Sequence, residues 1–110
     1  MALTLYGLKN CDTCKRAMKA LDAAGQTYKF VDIRAEADLA ALVPEWVANV
    51  GPDLLINRRS TTWRNLSDAE RARAPGALLI ANPTLIKRPV IVSDTDMHVG
   101  WTREVQSILL

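Results

Sequence analysis

Ala2-Leu3-Thr4-Leu5-Tyr6-Gly7 runs into Leu8-Lys9-Asn10-Cys11-Asp12-Thr13-Cys14, and the reading of this stretch decides the fold. Ala2 to Tyr6 is short, rich in strand formers and stopped by Gly7, which predicts a buried first strand. The two cysteines follow in a turn. From Thr13 the period changes: Cys14, Ala17, Met18 and Leu21 recur at helical spacing, with Lys15, Arg16, Lys19 and Asp22 on the opposite face and Gly25 as the stop. Thr27 to Ile33 carries β-branched and aromatic residues, so a second strand parallel to the first is expected. The opening is a βαβ unit with a right-handed crossover.

Working outward, Leu39, Leu42, Val43, Trp46, Val47 and Val50 make the next apolar stripe, ended by Gly51-Pro52. Pro44 falls inside that stripe and predicts a kink or a late start. Arg58-Arg59-Ser60-Thr61-Thr62 reads as a polar loop. Ser67 reads as an N-cap before an acidic first turn, and Ala77 to Ala81 as a buried helix closed by Asn82-Pro83. Strand character returns at Val90-Ile91-Val92 and at Met97 to Gly100, joined by a turn at Ser93 to Asp96 as a hairpin. Thr102 to Leu110 is expected to form a short helix with Val105, Ile108 and Leu109 on its apolar face. The order βαβ, helices, ββα implies an α/β thioredoxin-like fold: a mixed four-stranded sheet with a helical insertion, in a single domain over residues 1–110.

Composition bounds the function. The chain has 110 residues, 49% of them hydrophobic, and a net charge of +2 with both signs interspersed. That supplies one core and no broad basic field, so direct nucleic-acid binding is not expected. The first residues lack a basic region followed by a long apolar run, and no stretch approaches the ~20 apolar residues of a membrane span. A cytoplasmic, soluble monomer is the expectation. Only two residues separate the two cysteines. Such a pair closes too small a loop to staple a fold, and in a cytosolic chain CxxC reads as redox chemistry or half of a metal site. With one CxxC and the lone His98, a four-ligand metal site is not expected.

Cys11 precedes the first helix and Cys14 lies one turn inside it. Unpaired N–H groups and the positive end of the helix dipole favour a thiolate at Cys11. Lys9, Lys15 and Arg16 push the same way and Asp12 opposes them. Cys14 sits on the apolar stripe, where it is either the resolving thiol or a small core hydrophobe. Arg88-Pro89 stands directly before an apolar strand, the place where thioredoxin-like folds put a cis-proline beside the reactive cysteine. Arg88 would then face Cys11, stabilise the thiolate and hold an oxyanion or carboxylate; otherwise Lys87-Arg88 is a solvated basic pair. Arg58-Arg59 and His98 have ordinary surface readings beside any functional one.

Taken together, Tyr6 to Cys14, Asn57 to Arg64 and Ile86-Lys87-Arg88-Pro89-Val90 resemble, in order, the arsenate reductase-like (ArsC/Spx) family, closest to its YffB-like branch. The resemblance implies a nucleophilic cysteine at Cys11, with Cys14 and Arg88 as its catalytic companions. It also implies a substrate site drawn from Asn10, Thr13, Arg59, Arg88 and Pro89. The true reductases hold their oxyanion with three arginines; near the last of these this sequence has Gly100-Trp101, as Spx and YffB-like members have glycine and an aromatic residue. YffB-like members usually lack the second cysteine, whereas Cys14 restores the Spx-type pair.

Three functions follow from the resemblance. One is a thiol-dependent oxidoreductase with no bound cofactor, acting on a small thiol, an oxyanion or a protein disulfide, with glutathione as co-substrate. Another is a redox-sensing regulator like Spx that binds the C-terminal domain of the RNA polymerase α subunit. The third is an arsenate reductase working with two arginines.

Overall fold

Residues 3–110 are described by a computed structural model. Ala2, expected at the start of the first strand, lies outside the described residues. The Cα framework divides into two compact units: the chain up to Ala37 together with Arg88–Leu110, and Asp38–Lys87.

The first unit holds the sheet. Strand β1 (Leu3–Gly7) pairs in parallel with β2 (Tyr28–Asp32), and α1 (Asp12–Ala23) makes the crossover between them. After the second unit the chain returns as β3 (Val90–Val92) and β4 (Met97–Val99), giving the order β2-β1-β3-β4, with α7 (Arg103–Leu109) last. β3 is antiparallel to both β1 and β4. This is the thioredoxin-like mixed sheet that the element order implied. Leu3 and Leu5 are buried on β1 and meet Ala17 and Leu21 of α1, Ile91 of β3, and Val105 and Leu109 of α7; Met18, Tyr28, Phe30 and Trp101 pack around them. Each fully buried leucine contributes about 1.5–3 kcal/mol, so this cluster holds the sheet and its two helices together.

The second unit is helical: α2 (Leu39–Val50), α3 (Pro52–Leu55), α4 (Thr61–Asn65), α5 (Asp68–Arg71) and α6 (Pro75–Ala81), followed by a 3-10 turn at Pro83–Leu85. A short antiparallel bridge pairs Ile56 with Ile86, flanked by Lys87 N–H to Leu55 O at 2.7 Å and Asn57 N–H to Leu85 O at 2.8 Å. Ser67 and Glu70 form a reciprocal capping box at α5.

Four local expectations are corrected. Gly7 is the last residue of β1, paired with Asp32, where the strand was expected to end at Tyr6 with Gly7 just beyond it. Helix α2 does not start late: Asp38 caps it and it runs from Leu39 through Pro44. Ala40 and Pro44 both face solvent, so the carbonyl released by the missing N–H is open to water, while Leu39, Val43 and Trp46 are buried. Thr61 and Thr62 are helical, because the Ser60 side chain accepts the Trp63 N–H and starts α4. Ile108 is 58% exposed; Val105 and Leu109 share the buried face at i, i+4 and Ile108 falls off it.

Candidate functional site

The site is assembled where β1 ends and α1 begins. Cys11 occupies the N-cap of α1 with extended backbone, φ −91° and ψ 120°. Its N–H bonds Leu8 O at 3.2 Å, closing the turn, and its carbonyl accepts the Lys15 N–H at 3.0 Å as the first helical bond. The sulfur makes no cap hydrogen bond of ordinary geometry; the Cys14 N–H nonetheless lies toward it and favours its anionic form.

The two sulfurs are driven apart in acidity. Partial burial pushes Cys11 up, but the Cys14 N–H, the Cys14 thiol and the Arg88 guanidinium all favour its anionic form, and the positive charge of Arg88 adds to them. The result lies below the ordinary thiol value of 9.0. Cys14 goes the other way: burial first, then the neighbouring Cys11, push it up to about 12, only partly offset by the Leu8 N–H. Both cysteines are free thiols, Cys11 half-buried and Cys14 fully buried. One sulfur is therefore a half-buried thiol made easier to ionise and the other a sealed thiol made harder to ionise.

Arg88 reaches Cys11 through the strand register. Tyr6 pairs with Val90, so Pro89 and Arg88 continue alongside Gly7 and Leu8. The Arg88-Pro89 peptide is cis, Pro89 is buried, and its carbonyl accepts the Gly100 N–H at 2.8 Å. Of the basic residues expected to support the thiolate, Arg88 is the one that acts on the sulfur. Arg16 is exposed and donates to Thr13 Oγ1 at 3.5 Å, and Lys9 and Lys15 are exposed.

Asn10 is exposed in the turn before Cys11, and Thr13 is half-buried in the first turn of α1. Arg59 belongs to the second unit, exposed in the segment between α3 and α4, where its N–H donates to Asn57 Oδ1 at 3.1 Å. His98 is half-buried on β4 opposite Ile91. Gly100 takes φ +82° and Trp101 packs on the core of the first unit.

Gly7 is a site residue that sequence reasoning missed. A Cβ on it would lie 2.6 Å from Cys14 Sγ, closer than real Cβ contacts come. The bare backbone of Gly7 is what lets the buried sulfur sit against the end of β1. In the sequence the only signal is a glycine at the end of a strand, which reads equally well as a terminator. Among the described residues, no group of three or more His, Cys, Asp or Glu could hold a metal, and no helix is long and apolar enough to cross a membrane.

Comparison with known proteins extends over the whole of this arrangement. The model of the ArsC family matches residues 6–107. An uncharacterized protein of Haemophilus influenzae is 37% identical over 106 residues, covering 93% of each chain. The global transcriptional regulator Spx of Listeria innocua is 27% identical over 107 residues, covering 93% of this chain and 82% of its own. Among solved structures, a YffB protein superposes with a TM-score of 0.88 at 33% identity, over 98% of both chains.

Proposed function

The chain belongs to the ArsC family, and on that footing we propose that it is a thiol-dependent oxidoreductase in which Cys11 attacks and a glutathione-type thiol regenerates it. The observation that carries this reading is the pairing of an accessible, acidified Cys11 with an arginine donating to its sulfur. A thiolate adjoining a fixed guanidinium is both a nucleophile and an anion site, and the same positive charge steadies the thiolate that departs.

Cys14 supports the attack by donating its S–H to the Cys11 anion. Once Cys11 is capped as a mixed disulfide its negative charge is gone, and one of the two influences holding Cys14 protonated goes with it; burial remains. At neutral pH an external thiol therefore resolves the mixed disulfide faster than Cys14 does.

The test is thiol-dependent reduction of a low-molecular-weight disulfide. Cys11→Ser abolishes it, whereas Cys14→Ser weakens it and leaves turnover dependent on added glutathione. A Cys11 whose alkylation inflects at the solution value of a thiol would refute the proposal.

A second reading is a redox-sensing regulator, favoured by the intact CxxC and by the likeness to the Listeria Spx regulator. It would bind the C-terminal domain of the RNA polymerase α subunit and show little turnover. A binding measurement on that domain, with reduced and oxidised protein, decides between the two.

A further inference from the structure

Pro89 stands between Arg88 and strand β3 and, lacking an N–H, has only its carbonyl to tie its backbone down. Pro89 is buried, and that carbonyl accepts the Gly100 N–H at 2.8 Å. Val90 is registered opposite Val99, so this bond carries the β3–β4 ladder one residue beyond both strands and ends it on the neighbour of Arg88.

Gly100 makes the bond in a conformation that favours glycine. Its φ of +82° lies in the half of backbone space where a residue with a Cβ is strained. The turn is needed because the chain leaves the sheet here. Val99 is buried in β4, and two residues past Gly100 the Thr102 side chain already caps α7, accepting the Val105 N–H at 3.1 Å. Trp101, between them, packs on the core, and its carbonyl accepts Gln106 Nε2 at 3.2 Å. With both flanks held, a side chain at position 100 relieves its strain only by returning φ to negative values while ψ of Val99 turns the other way. The peptide between them is a rigid plane, so this pair of rotations swings the N–H of residue 100 away from Pro89.

We propose that Gly100 is a positioning residue for the Cys11 sulfur: its N–H, aimed by the left-handed turn, latches the Pro89 carbonyl and so keeps the Arg88 guanidinium at that sulfur. The inference rests on Cys11 being the nucleophile and adds what fixes its cationic partner. The titratable and charged groups that act on Cys11 are Cys14 and Arg88. Cys14 belongs to α1, so loosening the latch withdraws Arg88 and leaves the contribution of Cys14 in place.

The pH dependence of iodoacetamide alkylation at Cys11, followed by mass spectrometry, reads the latch. Gly100→Ala should move the inflection upward, in the direction of Arg88→Met, and lower the thiolate fraction at neutral pH by about threefold or more. In an Arg88→Met background the same substitution should add nothing, because the group it positions is gone. Gly25 supplies the control for backbone strain: its φ is +73°, it lies in the turn after α1, and a Cβ there meets nothing within 4 Å. Gly25→Ala should lower the unfolding midpoint and leave the inflection where it is. A chemically synthesised chain with an ester in place of the Val99–Gly100 amide removes the N–H without adding a side chain. It should raise the inflection as Gly100→Ala does, and it decides the question if Gly100→Ala does not fold. A low wild-type inflection that the ester leaves in place, or that Gly25→Ala raises as far as Gly100→Ala does, would overturn the latch and leave the Cys11 chemistry standing. A full further rise from Gly100→Ala in the Arg88→Met background would overturn it as well. A wild-type inflection at the ordinary thiol value would overturn the proposed function, and the latch with it.

Discussion

Arg88 donates a hydrogen bond to the sulfur of Cys11, and it does so because Val90 is registered opposite Tyr6. Substituting Arg88→Met removes both the donor and the positive charge, leaving partial burial to act against the Cys14 groups. The pH at which iodoacetamide alkylation of Cys11 reaches half its maximum should rise toward the ordinary thiol value of 9.0. Disulfide turnover at neutral pH should fall by about tenfold or more, since a charge-assisted donor to the reacting atom is lost. Arg88→Lys keeps the charge without the planar fork and should fall between the two. An Arg88→Met profile superimposable on the wild type would separate the arginine from the thiolate.

Gly7 and Cys14 are matched in size across the junction of β1 and α1. Gly7→Ala forces a Cβ against Cys14 Sγ, and should cost about 1–3 kcal/mol in denaturant unfolding. Removing the sulfur in the same background, as Gly7→Ala with Cys14→Ala, should recover most of that loss. A double-mutant cycle with no coupling would show that the crowding is relieved elsewhere.

Arg71 organises the short helices of the second unit. Its guanidinium donates to Trp63 O at 3.0 Å and Arg64 O at 3.3 Å, and it lies 5.2 Å from the centroid of the Trp63 ring. Arg71→Ala removes a donor from the C-terminal carbonyls of α4, Trp63 O keeping the Leu66 N–H at 3.2 Å, and should lower stability by about 1 kcal/mol. Amide hydrogen exchange should quicken chiefly across Thr61–Asn65.

How much of this was legible in the sequence depended on how locally each feature is determined. Cys14, Ala17 and Leu21 repeat at helical spacing because one face of α1 is buried, so the period announced the helix and the protected place of Cys14. Arg88 was legible through Pro89 and the strand after it, which together imply the return of the chain beside β1. Helix α4 was not, because none of its residues is buried and it is held by the Ser60 cap and by the 2.7 Å bond between Thr62 and Thr84. The spacing role of Gly7 was hidden because it is created by a contact, with Cys14 Sγ, that forms only when the end of β1 meets the start of α1. The basic residues nearest Cys11 in the chain were overvalued, since proximity in sequence does not aim a flexible side chain at a sulfur.

The opposed acidities of the two cysteines have opposite consequences for stability at alkaline pH. Cys14 is pushed up from 9.0 to about 12 in the folded chain. Its contribution is fully present below pH 9, where the thiol is protonated in both states, and is lost as pH rises from 9 toward 12 because unfolding releases its proton more readily. Cys11 is shifted below 9.0, so its contribution is fully present above pH 9 and fades as pH falls through its folded value. Thermal unfolding under reducing conditions should therefore decline between pH 9 and 11 more steeply in the wild type than in Cys14→Ala. Cys11→Ala should leave that alkaline decline in place and flatten the gain in stability on approaching pH 9 from below. Parallel curves for the wild type and Cys14→Ala would mean that the buried sulfur ionises as readily folded as unfolded, and that the separation of an anionic sulfur from a protonated one does not hold.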